Sequence, residues 1–258
     1  MRSGPMIAHV NVATGEPVAV VLRGEPDRWG VVRWDLETGE QEAGGVFPGT
    51  LFPRRGAVSP DGTLLAYFGA TRQKGDWSRF FAVAKVPWLT ALGAWRWPAR
   101  GFAAGAAFTA EGALVMSGVE AGPPFSGSCP LRYDLGPVHD KAWRRATAEE
   151  IQAAAVLPLR HPERRVRVAE RGGAVLLEVW DGLDLTDEDA GQRRYVLAGK
   201  PIAGVQWAGF APDGAVLCVT REGSLQVRDH DGEILRDDGP VADAGPDRVK
   251  SPAWARSW

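Results

Sequence analysis

The sequence predicts an all-β protein assembled from five similar units, on three observations. An acidic residue recurs in a tight turn just ahead of an apolar, strand-like run: Glu16, Asp61, Glu111, Glu163 and Asp213, at intervals of 45, 50, 52 and 50 residues. Each of these turns is followed by two short runs rich in branched and aromatic residues with a second turn between them, the pattern of an antiparallel meander. Several of the second runs close on a paired aspartate, as in Trp34-Asp35, Tyr133-Asp134, Trp180-Asp181 and Arg228-Asp229. A repeat of about 50 residues is the mark of an architecture built from one supersecondary unit.

The paired runs fall at 18–22 and 30–34, 64–68 and 80–86, 113–116 and 131–135, 166–169 and 175–180, and 216–220 and 225–227. An outer run follows at 93–97 in the second unit and at 195–197 in the fourth, and Glu37-Thr38-Gly39-Glu40 supplies the corresponding turn in the first. Inner strands ahead of the acidic turns are expected at 56–58, 106–108, 153–157 and 207–210, which makes four strands per unit. Such a sheet cannot bury both faces by itself, so the units must stack, and radial stacking that leaves only short edges is the β-propeller solution.

The expectation is therefore one β-propeller domain over residues 1–258. Its five four-stranded blades fall near 6–47, 55–98, 104–146, 153–198 and 205–238, with 239–258 as a tail or a ring-closing strand. The phase at the N-terminus stays open, because Asn11-Val12-Ala13-Thr14-Gly15-Glu16 also resembles Asp35-Leu36-Glu37-Thr38-Gly39-Glu40. The N-terminal segment could then form the outer hairpin of a blade, with 251–258 supplying an inner strand to a shared closing blade. One segment breaks the β pattern: Thr147-Ala148-Glu149-Glu150 has the order of a capping box and is followed by alanine-rich helix formers, which predicts a short helix near 147–155.

Val58-Ser59-Pro60-Asp61-Gly62-Thr63-Leu64-Leu65-Ala66 and Phe210-Ala211-Pro212-Asp213-Gly214-Ala215-Val216-Leu217 resemble the repeat core of WD40-like and TolB-type propellers. Trp34-Asp35 and Trp180-Asp181 are similar to the dipeptide that names WD40 repeats. The resemblance implies an architecture that hosts many unrelated functions, so it carries over no functional residue.

Composition narrows the functional classes. The chain has 258 residues, 45% of them hydrophobic and 24% charged, which are globular values. Its net charge of -2 argues against whole-surface attraction to nucleic acid or to an anionic membrane. The two cysteines, Cys129 and Cys218, have no metal-like spacing and are expected as unpaired thiols. Residues 1–12 lack the apolar core of a signal peptide, so the expected compartment is the cytoplasm. The acidic loop with Asp181, Asp184, Asp187, Glu188 and Asp189 does not match an EF-hand and is expected to be solvated.

No P-loop, His-Glu-x-x-His, Gly-x-Ser-x-Gly or strand-linked Gly-x-Gly-x-x-Gly string occurs, and the four histidines have no ligand-like neighbours. No catalytic residue, metal or cofactor is therefore expected, and the acidic turn residues are read as turn chemistry. Two candidate surfaces remain. Connections between blades carry Arg54, Arg55, Arg100 and Lys200, a partial basic ring at the channel mouth suited to a small anionic ligand or substrate. The two longest turns, 69–79 and 118–130, each present one aromatic, Trp77 and Phe125, as partner-binding loops. Trp254 and Trp258, four apart at the end of the chain, are further partner-binding candidates. The function expected is a non-catalytic scaffold that binds another protein; the alternative is a small-ligand binder or enzyme at the basic mouth.

Overall fold

The computed structural model describes residues 7–25, 27–98, 105–138, 143–153, 165–181, 192–243 and 251–258. They are nearly all β, with five small sheets in succession and one short α-helix, which is the sheet inventory of a five-bladed β-propeller. They divide into two compact units, one of Met1–His139 with Val241–Trp258 and one of Asp140–Pro240.

In the first unit, β1 (Ile7–Val12), β2 (Val18–Glu25), β3 (Arg28–Asp35) and β4 (Gln41–Phe47) form an antiparallel sheet in chain order. Residues 7–12 thus take an inner-strand place ahead of the Glu16 turn rather than an outer hairpin. The second sheet has β5 (Thr50–Leu51) and β6 (Ala57–Val58) side by side along β7 (Leu64–Ala70), then β8 (Arg79–Lys85) and β9 (Gly93–Arg96). The third begins with β10 (Gly105–Phe108) and β11 (Leu114–Ser117). Here the meander expected for 131–135 fails. The long turn after β11 first lends β12 (Ser126–Gly127) to the free edge of β9, so the chain returns from the other end and β13 (Tyr133–Leu135) runs parallel to β11.

In the second unit, β14 (Arg144–Arg145), β15 (Arg165–Arg171), β16 (Ala174–Asp181), β17 (Gln192–Leu197) and β18 (Lys200–Pro201) form the fourth sheet. The fifth contains β19 (Val205–Phe210), β20 (Val216–Thr220), β21 (Ser224–Arg228) and β22 (Ile234–Pro240). Residues 239–240 therefore continue the blade's last strand and are not part of a tail. The helix α1 (Ala148–Ala153) begins with the predicted capping box: the Glu150 amide donates to Thr147 Oγ1 at 3.3 Å and the Thr147 amide to Glu150 Oε2 at 2.7 Å. A strand at 153–157 is not formed where it is described, because Ala153 ends α1; 154–157 lie outside the described residues, as does Glu163.

The second sheet shows how the core is built. Alternate side chains of β7 and β8 enter different clusters: Leu65, Tyr67, Phe80, Ala82 and Ala84 pack with the first sheet's Val18, Val20, Leu22, Trp29 and Val31. Ala66, Phe68, Phe81 and Val83 pack with Ala106, Leu114 and Met116 of the third. Both faces are buried, which is why these strands read as continuous apolar runs. In the second unit Leu176, Tyr195 and Leu197 of the fourth sheet meet Val205, Ala208, Val216 and Cys218 of the fifth. Trp34, Trp180 and Trp207 are buried, as strand tryptophans should be. Both cysteines are free, and burial pushes the Cys218 thiol up to about 12.

At Asp61 and Asp213 the acidic side chain closes its own turn. Asp61 accepts from Ser59 Oγ at 2.5 Å, from the Thr63 amide at 3.1 Å and from Thr63 Oγ1 at 2.9 Å, so one carboxylate closes the turn between β6 and β7. Partial burial pushes this carboxyl up, but the donors from Ser59 and Thr63 outweigh it and hold it below its ordinary value. The Ala215 amide donates to Asp213 at 3.0 Å in the same way. Gly62 has φ +71, and a Cβ there would stand 2.9 Å from Val18 Cβ. Gly112 has φ +80 with open space around it.

Two predictions follow from these turns. In urea titrations Gly62→Ala should cost about 2 kcal/mol or more and Gly112→Ala about 1, since the first combines a left-handed backbone with a clash. Asp61→Asn should cost about 1 kcal/mol at neutral pH. Because the folded-state pKa is depressed, this difference is present above the ordinary 3.8 and fades as pH falls below it.

Candidate functional site

A groove of about 1200 Å³ opens on the first unit between the first and second sheets. It lies where β4 gives way to β5. Glycines replace side chains there: a Cβ on Gly49 would stand 2.4 Å from the Ala70 carbonyl oxygen, and one on Gly45 would reach 3.0 Å from the Leu89 amide nitrogen. These glycines let the backbones approach closely at the groove edge, and its floor is formed by Phe47, Tyr67 and Phe80, aromatic rings in edge contact with one another at 5.9 to 6.4 Å. Tyr67 is fixed in place because its hydroxyl donates to the Leu89 carbonyl at 2.9 Å, and burial pushes its pKa upward. Leu89, Thr90 and Ala91 form one wall and Trp77 another.

The Trp77 wall is held by the two long turns that the sequence singled out. Trp77 and Phe125 meet edge to face at 4.9 Å, and Trp77 also packs on Phe80 at 5.0 Å. Arg96 joins the turns from below, donating to Asp76 at 2.6 Å and to Glu120 at 3.4 Å. Its guanidinium holds the Asp76 carboxyl below its ordinary value. The turn at 118–130 is pinned by the Phe125 amide on the Ala94 carbonyl at 2.8 Å and by Trp95 Nε1 on the Gly122 carbonyl at 3.2 Å. Thus the structure brings Trp77 and Phe125 together; Trp77 lines the groove and Phe125 backs it.

The end of the chain completes the rim. Ser251 Oγ lies 2.5 Å from Thr90 Oγ1, Lys85 Nζ donates to the Trp254 carbonyl at 2.9 Å, and Ala255 is fully buried. Trp258 packs on the cluster between the second and third sheets and donates from Nε1 to the Ser128 carbonyl at 2.5 Å. Trp254 keeps 52% of its surface exposed, with the Lys85 ammonium 5.9 Å from its ring centre. This turn places Arg256 on the groove beside Ser251.

The predicted basic residues are placed differently from one another. Arg54 and Arg55 belong to a 3-10 turn, Pro53–Arg55, that interrupts the strand pairing along β7 between β5 and β6, not a connection ahead of it. Arg55 is 8% exposed, with its guanidinium 5.3 Å from the ring centre of Phe52 and 5.2 Å from that of Trp97. Arg54 is half-buried. Arg100 lies outside the described residues, and Lys200 is exposed in the edge strand β18.

The groove residues Phe47, Tyr67, Phe80, Leu89 and Arg256 were not legible as a site. Each aromatic reads as strand core, and the one available signal was Gly44-Gly45 with Gly49, since glycine in or beside a strand marks close approach. Among the described residues no group of three or more His, Cys, Asp or Glu is placed to hold a metal ion, and no helix is long and apolar enough to cross a membrane. No family model matches the chain, and no curated protein matches it in sequence.

Arg96→Ala should loosen both long turns together. Trypsin should then cut after the exposed Arg72 and Lys74 several times faster than in the wild-type chain, while far-ultraviolet circular dichroism stays unchanged.

Proposed function

We propose that the protein is a non-catalytic interaction module that holds a segment of another protein in the aromatic groove of its first unit. The observation that carries this reading is the Trp77 wall: an aromatic at the groove, buttressed by Phe125 and Phe80 and tied through Arg96, on two long turns of the first unit. Rigid aromatics in a preformed concavity are the side chains that dominate binding energy at protein interfaces. The groove is open, and its size exceeds the ~300–1,000 Å³ of enclosed small-molecule pockets, which suits an extended chain segment.

Its chemistry points the same way. Among the described residues the titratable side chains on the lining are Asp27, Tyr67, Arg72 and Arg256. Asp27 and Arg72 pair at 2.8 Å and Tyr67 donates to a carbonyl, so this set offers no nucleophile beside a base. We place the repeats with the WD40-like and TolB-type propellers on their Ser-Pro-Asp-Gly and Ala-Pro-Asp-Gly turns, and the site of action in the cytoplasm. A small anionic ligand is the second reading, favoured by Arg256 at the rim.

A photo-crosslinking amino acid at Gln73 or Thr90, both on the groove, should trap a discrete protein partner in cells, whereas the same probe at the exposed Glu222 of the second unit should not. Trp77→Ala should weaken that partner at least tenfold, about 1.4 kcal/mol, and Phe125→Ala less, because Phe125 acts through Trp77. Equal trapping from Glu222, or binding indifferent to Trp77, refutes the groove as the interaction site.

A further inference from the structure

We infer that the segment received by the groove is acidic, and that Arg256 takes its carboxylate while an adjacent apolar side chain fills the Phe47, Tyr67 and Phe80 floor. This rests on the groove being an interaction site and adds the chemistry of the partner.

Among the described residues the lining carries two cations, and they differ in state. Arg72 follows the Ala70 end of β7 and is held by Asp27 at 2.8 Å. Arg256 comes from the turn that contacts β8 through Lys85, the residue paired with Leu64 at the opposite end of the β7 and β8 ladder. It forms no hydrogen bond or ion pair among the described residues. Among the described residues the groove therefore has one end where the cation sits in an exposed pair with Asp27 and one where a guanidinium has no paired carboxylate. Lys85, on the Trp254 carbonyl and ring, adds positive charge on that side.

Arg256 is also preorganised. The residues around it are anchored at Ser251, Trp254, Ala255 and Trp258, so the eight-residue strap 251–258 is fixed along its length. A guanidinium presented on an anchored backbone loses less freedom on binding and can grip a carboxylate through two parallel N–H donors. It stands out against a chain whose net charge is -2, so the local field opposes the global one. A nucleic-acid strand fits less well, since it needs a row of cations along its phosphates and the groove has one without a partner among the described residues.

The test pans a phage-displayed random heptapeptide library on the full 258-residue chain. Enriched sequences should carry Asp or Glu within two positions of Phe, Trp or Leu. A synthetic peptide of that type should bind at least tenfold more weakly to Arg256→Glu and to a chain lacking residues 251–258, and more weakly as salt rises. Replacing its acid by lysine should restore binding to Arg256→Glu. Trp77→Ala, and Ala91→Trp as a plug of the groove, should each abolish binding, with thermal unfolding confirming that these variants fold.

Enriched peptides that are neutral or basic, or that ignore Arg256→Glu, overturn the acidic partner; if Trp77→Ala and Ala91→Trp still abolish them, the interaction groove survives that loss. Peptides indifferent to Trp77→Ala and Ala91→Trp overturn the groove reading itself, and a library that yields no enrichment overturns both. A fluorescein-labelled 15-mer of oligodeoxythymidine that binds as tightly as the peptide and competes with it overturns the assignment to a protein segment.

Discussion

Everything in the first unit depends on a sheet that is apolar on both faces. A strand alternates its side chains between two sides, so a run such as Leu65, Ala66, Tyr67 and Phe68 commits half its residues to each neighbour. Here Leu65 and Tyr67 close onto the first sheet while Ala66 and Phe68 close onto the third. Each face removes aromatic and branched surface from water at about 25 cal/mol per Å², and neither gain is available to the sheet alone. The acidic turns serve this packing by fixing where each strand begins: Asp61 gathers Ser59 and Thr63, and the Gly15 amide of the preceding turn donates to the Pro60 carbonyl at 3.0 Å.

The groove arises where that packing cannot be completed. Where β4 turns into β5 the first sheet meets the second by backbone and not by side chains: the Gly45 amide donates to the Pro87 carbonyl at 3.0 Å, and Gly49 has no room for a Cβ beside Ala70. Core aromatics therefore reach a surface without leaving the core: Phe47 and Phe80 stay at least nine-tenths buried while forming its floor. Such a floor is rigid for the same reason that the sheets are stable. The β12 excursion has a related effect, because covering the free edge of β9 brings the 118–130 turn beside Trp77 and stiffens the remaining wall.

The sequence was legible wherever the determinant was local. Most strand runs, the Asp61 and Asp213 turns and the Thr147 capping box depend on residues within a few positions of one another, and these formed, whereas the strand expected from 153 gave way to the end of α1. What escaped it was set by distant parts of the chain. Nothing near Tyr133 states that β13 runs parallel to β11; that direction follows from where the preceding turn found an edge to pair with. Nothing near Pro53 states that Arg55 sits against Trp97, more than 40 residues away. Trp77 and Phe125 were nominated from loop length and composition, but their mutual contact belongs to the pairing of β12 with β9.

Arg256 is the sharpest case of this division, because its meaning lies wholly in its surroundings. As a sequence element it is one basic residue in a short terminal stretch with two tryptophans, a pattern that fits a solvated tail. In the structure those tryptophans are divided: Trp258 is taken into the core cluster and Trp254 is left on the surface, with Lys85 on its carbonyl. The strap between them is thereby drawn across the end of the groove. Anchoring a strap only to cover apolar surface would be served by any side chain at position 256. A guanidinium placed at an aromatic concavity, with no carboxylate paired to it among the described residues while the opposite cation pairs with Asp27, is instead the arrangement that gives a groove polarity. A segment entering it could then be held in one direction only.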